Sequence, residues 1–465
     1  MARVDLSFWR DREYFLQLWQ VAAPIALQNL LMSSLNMVSV ILLGQLGETA
    51  VTAVGLAGQI FFLLNLVLFG IMSGSAMFTA QLWGRGDVDN IRRVLGLAVK
   101  LGLLAASIFW ALAVFWPEAA LGFYSSDPRV IALGARFLRI FGWSYLPFAL
   151  TFAYSAVTRS TGNVRLPLVV SVSALAFNTL AAWALIFGEL GLPKLGTDGA
   201  ALAGLLARLF ECAFLLLMIY RSRANPAAAS LAELASFDRA FAWRVLQPVL
   251  PVIANETLWS FGITTYNSIY AHIGTDAFAA MSIVSTIDQL AFVGFLGIGN
   301  ATAIMVGNVI GRGEREKAFA YAGRSLALQI LGALTMGALM ALFGWFFFRF
   351  YRVSPAVIEN ARQVLMVMAA GMWIRAANMV IVVGILRSGG DTRFSLVLDG
   401  LVIWLVGVPL AALGAFVLRW PIALVYLLAQ SEELTKFVAG VWRYFSRRWM
   451  NDLSQRLQEP SEIRA

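Results

Sequence analysis

Several ionisable residues that could carry chemistry stand inside long apolar stretches of the second half of the chain, among them Glu256, Asp288, Arg375 and Asp399. An ionised side chain at membrane depth costs roughly 2.5–3.5 kcal/mol on insertion scales, so each is a candidate functional residue. A carboxyl group in apolar surroundings favours its neutral form and can load and release a proton, whereas an ionised one offers hard oxygen ligands to a sodium ion. These residue types therefore predict a buried, hydrated cation site, with a proton or a sodium ion at Glu256.

Polar residues share helix faces with two of these acids. On a period of 3.6 residues, Glu256 lies on one stripe with Ser260 and Asn267, and Asp399 lies on one with Ser395. Such stripes are at odds with lipid contact, so both carboxylates are expected to face the protein interior.

The basic residue of the set has two possible roles. Arg375 and Asn378 are three positions apart and share a helix face. Arg375 can hold Asp399 or Asp288 ionised, and be released when a cationic substrate or ion competes. The alternative is a static lattice of ion pairs that only fixes helix packing.

Composition identifies the elements that must position these side chains. The chain has 465 residues, of which 60% are hydrophobic and 13% charged. A soluble protein with this balance could not cover its surface with polar groups, so lipid is the solvent for much of it. A spanning helix needs roughly 20 mostly apolar residues, which predicts an all-α integral membrane protein with about twelve transmembrane helices. The predicted spans are 15–43, 50–80, 94–115, 128–157, 165–188, 198–220, 243–270, 278–308, 318–346, 357–386, 394–416 and 419–442.

The distribution of Lys and Arg sets the orientation. Basic residues concentrate in the connections on the same side as the N-terminus, which places both termini in the cytoplasm. The predicted organisation is an N-lobe at 1–220 with helices 1–6, a cytoplasmic linker at 221–242, a C-lobe at 243–442 with helices 7–12, and a basic cytoplasmic tail at 443–465. The tail is expected either to lie on the inner membrane surface or to be solvated.

Several function classes are excluded or disfavoured. With His272 as the one histidine and Cys212 as the one cysteine, zinc sites of the usual composition and nucleophilic triads cannot be built. No phosphate-binding G-x-x-x-x-G-K-[ST] loop indicates ATP as the energy source. The net charge of +9 lies in short gaps between apolar runs, which is typical of membrane loops and not of nucleic-acid binding. We therefore expect no enzyme activity, cofactor or nucleic-acid partner.

The chain also repeats itself. Gly70-Ile-Met-Ser-Gly-Ser-Ala and Gly84-Arg-Gly-Asp87 recur as Gly297-Ile-Gly-Asn-Ala-Thr-Ala and Gly311-Arg-Gly-Glu314, both at an offset of 227 residues. Because each half holds six helices, both halves enter the membrane in the same direction and form a parallel repeat. Two like bundles facing a central cleft are typical of alternating-access transporters.

These segments resemble the multidrug and toxin extrusion (MATE) family over nearly the whole chain. The resemblance rests on Ala23-Pro-Ile, Gly44-Gln-Leu-Gly-Glu, the Gly-Arg-Gly loops, Leu185-Ile-Phe-Gly and the loop at 387–393. Within the family it is most similar to the bacterial damage-inducible (DinF-like) branch, on Asn255-Glu-Thr-Leu-Trp and Ile385-Leu-Arg-Ser-Gly-Gly. The resemblance implies a two-lobed exporter of amphipathic, often cationic, compounds driven by a proton or sodium gradient.

The resemblance also bears on individual positions. Glu256 falls on the family's acid in helix 7, with Asn255 beside it, and Asn178 matches a family asparagine in helix 5. Ser39 and Ala182 stand where relatives carry acids in helices 1 and 5. In helix 10 the acid of the sodium-coupled type falls at Ala376 or Asn378. The resemblance therefore favours Glu256 as the coupling residue.

We expect a monomeric antiporter in the bacterial cytoplasmic (inner) membrane, with lipid around it and a small molecule as substrate. The alternative within related architectures is a flippase of lipid-linked sugars or lipids, although such proteins more often have additional helices or strongly cationic clefts. A membrane-embedded enzyme or scaffold is the third alternative, and the missing catalytic constellation argues against it.

Overall fold

The structure of the chain is a computed structural model that describes residues 11–222 and 224–457, without the side chains of 33–40. Within these residues it is all-helical. Twelve long helical runs, which we label α1–α12, follow the predicted spans. They are Arg12–Gly44, Glu48–Arg85, Val88–Phe115, Pro128–Ser160, Arg165–Phe187, Thr197–Arg221, Arg239–Ile273, Thr275–Gly311, Arg315–Phe350, Pro355–Arg387, Thr392–Val417, and, for α12, Ile422–Ala429 followed by Ser431–Phe445.

In the described part of the chain, nine of these runs are long and apolar enough to cross a membrane: α2–α6 and α8–α11. Among the other three, α7 is made more polar by residues such as Asn255 and Glu256. The predicted single span at 419–442 is divided at Gln430, so neither part of α12 reaches spanning length alone. The prediction of an all-α membrane protein of twelve helices in two lobes is confirmed.

By internal packing, the chain divides into two compact units. We call Leu27–Leu246 the N-unit, and Met1–Ala26 together with Gln247–Ala465 the C-unit. The start of α1 therefore belongs to the same unit as the C-terminal half of the chain, whereas the predicted N-lobe at 1–220 includes it. The predicted boundaries at 220 and 243 stay predictions.

The repeated Gly-Arg-Gly loops have the same backbone conformation in both halves. Gly86 ends α2 with φ 77° and Gly313 follows α8 with φ 80°, a left-handed conformation that suits glycine. The side chain of Asp87 then caps α3 by accepting from the backbone N–H of Asn90 at 3.1 Å. Both loops are tight turns between consecutive helices.

The predicted linker contains a short helix, Leu231–Leu234, in the N-unit. Ser230 and Glu233 form a reciprocal capping box at its start, and Glu233 pairs with Arg92 of α3. The linker is therefore tied to α3 by a specific ion pair.

The first part of the predicted tail is folded onto the C-unit. Trp449 is fully buried, its indole N–H donates to the Tyr444 carbonyl at 3.0 Å, and a Cβ at Gly389 would overlap its backbone. Arg443 donates to Asp391 at 2.6 Å. This part is therefore not solvated, because the loop after α10 covers it. Its position on the inner membrane surface stays a prediction. Residues 458–465 of the predicted tail lie outside the described residues.

Candidate functional site

Glu256 is paired with a cation that the sequence places in a cytoplasmic loop. Nη2 of Arg387, at the end of α10, lies 2.6 Å from Oε1 of Glu256 in α7. The Arg387 side chain is only 4% exposed, so this is an ion pair shielded from solvent. Arg387 is the last residue of α10, one position beyond the predicted span 357–386, and its side chain is buried in the C-unit.

A second cation, Lys436 of α12, lies at the centre of three carboxylates. Its Nζ is 3.1 Å from Asp399 Oδ1, 3.3 Å from Glu432 Oε1 and 3.7 Å from Glu433 Oε1, and its side chain is 1% exposed. The ammonium donates hydrogen bonds to Asp399 and Glu432, and its contact with Glu433 is an ion pair. We call Lys436 with its three acids the lysine cage.

The outward oxygens of the same acids are each held by an uncharged donor. Asn255 Nδ2 donates to Asp399 Oδ2 at 3.0 Å, and the Tyr266 hydroxyl donates to Glu432 Oε2 at 3.0 Å. Asn378 Nδ2 donates to Glu433 Oε2 and to the Glu433 carbonyl, both at 2.7 Å. All six carboxylate oxygens of the lysine cage therefore have a partner.

Two of these donors leave an acceptor unused. The Oδ1 atoms of Asn255 and Asn378 are buried and have no hydrogen-bond partner among the described residues. Both residues are at most 4% exposed. Buried polar atoms are nearly always satisfied, so unpaired ones indicate water or an alternative bonding pattern.

The backbone that presents this cluster departs from ordinary α-helix. Val380–Arg387 of α10 and Leu396–Leu401 of α11 are π-helical, so one ends at Arg387 and the other contains Asp399. A π-turn inserts an extra residue and rotates the side chains that follow, and such turns are frequent at functional sites.

The two remaining charges of the predicted site form a bidentate pair. Arg375 donates from Nη1 to Asp288 Oδ1 at 2.8 Å and from Nη2 to Oδ2 at 3.0 Å. Its guanidinium also lies 5.3 Å from the ring centroid of Phe292. Of the two acids expected for Arg375, Asp288 is the partner and Asp399 belongs to the lysine cage.

Together these groups form a network in the C-unit with an excess of acids. It contains five carboxylates and three cations: Glu256, Asp288, Asp399, Glu432 and Glu433 against Arg375, Arg387 and Lys436. The lysine cage also interacts electrostatically with the two arginine pairs, through Arg387 with Asp399 and through Arg375 with Glu433. Because buried net charge is costly, the network favours uptake of one or two further cationic charges.

Asn178 lies elsewhere, in a cavity of the N-unit of about 290 Å³. The same cavity is lined by Arg208 and Glu211, whose i,i+3 pair is present at 2.7 Å. Ser171 donates to the other Glu211 oxygen at 3.0 Å, so both oxygens of this carboxylate have a partner. Ser39 lies among the residues whose side chains are outside the described part.

Sequence reasoning missed the centre of the C-unit network. Inside the predicted span 419–442, Lys436 stands three residues after Glu433 and four after Glu432, a spacing that places opposite charges on one helix face. Tyr266 carries no charge and leaves no such signal. The structure brings Asn255, Asp399 and Asn378 into the network, while the part each plays in transport stays a prediction.

A family model described as MatE matches the chain twice, at residues 24–184 and 251–413. The two matches begin 227 residues apart, the offset of the internal repeat.

A curated relative, "Probable multidrug resistance protein NorM" of Bradyrhizobium diazoefficiens, is 28% identical over 413 residues, covering 86% of this chain and 87% of the relative. "Probable multidrug resistance protein YoeA" of Bacillus subtilis is 27% identical over 412 residues, covering 87% of this chain and 86% of the relative. The solved Vibrio cholerae MATE transporter VcmN, in a mutant form, superposes with a TM-score of 0.86 at 18% identity, covering 95% of this chain and 99% of that one.

Proposed function

Because the chain belongs to the MatE family of membrane transporters, we propose that it is a cation-coupled antiporter that exports amphipathic, often cationic, organic compounds. The two six-helix lobes alternate access of a common substrate site to the two sides of the membrane. The coupling ion is a proton or sodium, and the carboxylates of the C-unit network carry it. Its relatives are transporters and not enzymes, so no catalytic step is assigned.

The acid excess of the C-unit network is the observation that supports this proposal. Five carboxylates face three cations, and the lysine cage alone holds three carboxylates around one ammonium. A proton, a sodium ion or an organic cation relieves the same excess of negative charge. Mutual exclusion of ion and substrate at such a network is the physical basis of antiport.

Within the network, we assign the coupling role to Glu256. Loss of its charge frees Arg387, which already interacts electrostatically with Asp399. Protonation of Glu256 therefore changes the charge balance of the lysine cage through Arg387. Arg375 holds Asp288 in a bidentate pair and is the more static part of the network.

The location that follows is a bacterial cytoplasmic membrane, with several spans and with both termini in the cytoplasm. The flippase alternative needs a site for an anionic phosphate or diphosphate. The acid excess opposes such a ligand, so we retain the exporter.

The proposal is tested by expression in cells that lack their own drug pumps. Efflux of a panel of amphipathic cationic dyes is measured under imposed proton and sodium gradients, for the wild type, for Glu256→Gln, and for Glu189→Gln as the control. Glu189 is an exposed residue beyond α5, so its change removes the same charge outside the network.

We expect gradient-dependent efflux in the wild type and in Glu189→Gln, and a loss of about tenfold or more in Glu256→Gln, equivalent to about 1.4 kcal/mol. No gradient-dependent efflux across the panel would overturn the exporter. Unchanged coupling in Glu256→Gln would overturn only the assignment of Glu256.

A further inference from the structure

We propose that Lys436 determines the identity of the coupling ion: its ammonium occupies the place that a sodium ion would need in the lysine cage and leaves the proton as the ion exchanged. This inference rests on the proposed function, because it specifies the ion of the same antiport. Glu256, the proposed coupling residue, lies outside the cage and is paired with Arg387, and one of its oxygens is enough to bind a proton. A sodium ion needs several converging oxygens, and the lysine cage is where the C-unit network gathers three. It makes Lys436 a specificity-determining residue.

The bonding of the lysine cage is the basis of this inference. Three carboxylate oxygens face Nζ of Lys436, at 3.1, 3.3 and 3.7 Å. The other three oxygens accept from Asn255, Tyr266 and Asn378. Every carboxylate oxygen of the cage therefore already has a partner, and none is free to bind an additional cation.

Sodium and the proton make different demands on such a site. A sodium ion is a hard cation that needs several oxygen ligands around it at once. Those oxygens converge on Nζ, and the ammonium, 1% exposed, is attached to α12 and cannot leave the cluster. A proton needs only one carboxylate oxygen, forms an O–H bond there, and removes one negative charge while the ammonium stays in place.

The unused amide oxygen of Asn255 provides a bonding pattern for a protonated Asp399. Rotation of the Asn255 amide by 180° exchanges Nδ2 for Oδ1, which has no partner among the described residues. A protonated carboxyl group of Asp399 can then donate to that oxygen. For Glu432, the Tyr266 hydroxyl can change from donor to acceptor.

The charged and titratable groups that face the cage come from four helices. Asp399 is contributed by α11, and α12 itself provides Glu432 and Glu433. From α7 comes Tyr266, bonded to Glu432. Arg387 of α10 acts electrostatically on Asp399 and remains paired with Glu256, and Arg375 of the same helix acts electrostatically on Glu433 and remains paired with Asp288. Within the described part of the chain, Lys436 is thus the cation at ion-pair distance from all three acids of the cage.

The test uses the purified full-length protein in proteoliposomes of phosphatidylethanolamine and phosphatidylglycerol, with ethidium as the transported probe. Transport is driven either by a pH gradient without sodium or by a sodium gradient at equal pH on both sides. The variants are Lys436→Gln, Lys436→Arg, and the control Lys194→Gln, at an exposed loop position.

For the wild type and Lys194→Gln, we expect transport driven by the pH gradient and none above background with the sodium gradient. Sodium-driven transport of the wild type at equal pH would overturn this inference and leave the proposed function intact. Transport under neither gradient would overturn the proposed function, and the inference with it. These outcomes do not depend on the folding of any variant.

The variants test the role of the lysine itself. Without the ammonium, the three acids face one another, so the pH at half-maximal transport by Lys436→Gln is expected to rise by about one unit or more, or sodium is expected to stimulate its transport. Lys436→Arg keeps the charge and should retain proton drive without sodium stimulation. A Lys436→Gln protein that elutes as a monodisperse species, with an unchanged pH profile and no sodium response, would overturn the inference.

Discussion

Gly407 of α11 lies directly against Tyr266 of α7, at the point where the tyrosine hydroxyl bonds to Glu432. A Cβ at Gly407 would overlap the hydroxyl oxygen and stand 2.5 Å from Glu432 Oε2. The absence of a side chain at this one position lets a neutral donor reach the buried carboxylate.

Gly407→Ala should therefore disturb the lysine cage without changing its charge. We expect transport to fall by about tenfold and the midpoint of thermal unfolding in detergent to decrease, because the added methyl group overpacks a buried site by about 1–3 kcal/mol. Gly371→Ala is the matched control, since a Cβ there has no neighbour within 4 Å. Equal behaviour of the two variants would contradict the packing described for Tyr266.

The Glu256–Arg387 pair predicts strong coupling between its members. Glu256→Gln or Arg387→Met alone leaves a buried charge without its partner, at a cost of about 3–5 kcal/mol in the free energy of unfolding. The double variant should lose at least about 1 kcal/mol less than the sum of the single losses. Thermal or denaturant unfolding of all four proteins in the same detergent measures this coupling. Additive losses would show that the two residues do not form a buried pair.

The bidentate geometry of Arg375 predicts that lysine cannot replace it. Lysine keeps the charge but cannot make both parallel bonds to Asp288, so Arg375→Lys should lose about 1.5–3 kcal/mol of stability. The control is Arg362→Lys, at an exposed position of the same helix, where we expect a change within about 0.5 kcal/mol. A stability of Arg375→Lys equal to that of Arg362→Lys would argue against a bidentate contact. Unfolding midpoints of the three proteins provide the comparison.

The ion pair between the linker and α3 predicts a pH dependence outside the membrane. The backbone N–H of Ser230, its hydroxyl and Arg92 hold the pKa of Glu233 below its usual value. Because the pKa of Glu233 is lower in the folded protein than its unfolded value of about 4.3, its ionised form stabilises the linker at any pH above that unfolded value. This stabilisation is lost as the pH falls through the pKa of Glu233 in the folded protein. Amide hydrogen exchange at 230–236 should thus be faster in Glu233→Gln than in the wild type at pH 7. The difference should shrink below about pH 4. A difference of constant size at all pH values would contradict this cause.

Much of the architecture could be predicted from the sequence because lipid imposes a simple requirement on length and polarity. The apolar runs predict the helices, and the Gly-Arg-Gly repeats predict turns whose glycines, Gly86 and Gly313, share a left-handed conformation. The division of α12 at Gln430 was not predicted, since hydropathy averaged over a span is insensitive to a one-residue interruption of a helix.

The candidate site was predictable only in part. Glu256, Asp288 and Asp399 stand out because a charge within an apolar run is conspicuous. Their partners are set by tertiary packing and by the π-helical turns before Arg387 and around Asp399, which no periodicity in the sequence indicates. The spacing of Lys436 from Glu432 and Glu433 does indicate pairing on one helix face, so this part of the site was open to prediction from the sequence.

Ion and substrate are proposed to move in opposite directions through one protein. Ion uptake driven by a substrate gradient measures this most directly. Proteoliposomes are loaded with ethidium at equal pH and equal sodium on both sides, and an outward substrate gradient is then the sole driving force. Internal pH and internal sodium are followed with separate fluorescent indicators. We expect ethidium efflux to be accompanied by uptake of protons or sodium ions into the vesicles, and protein-free vesicles to show no such uptake. Ethidium efflux through the protein with neither ion entering would contradict the proposed antiport.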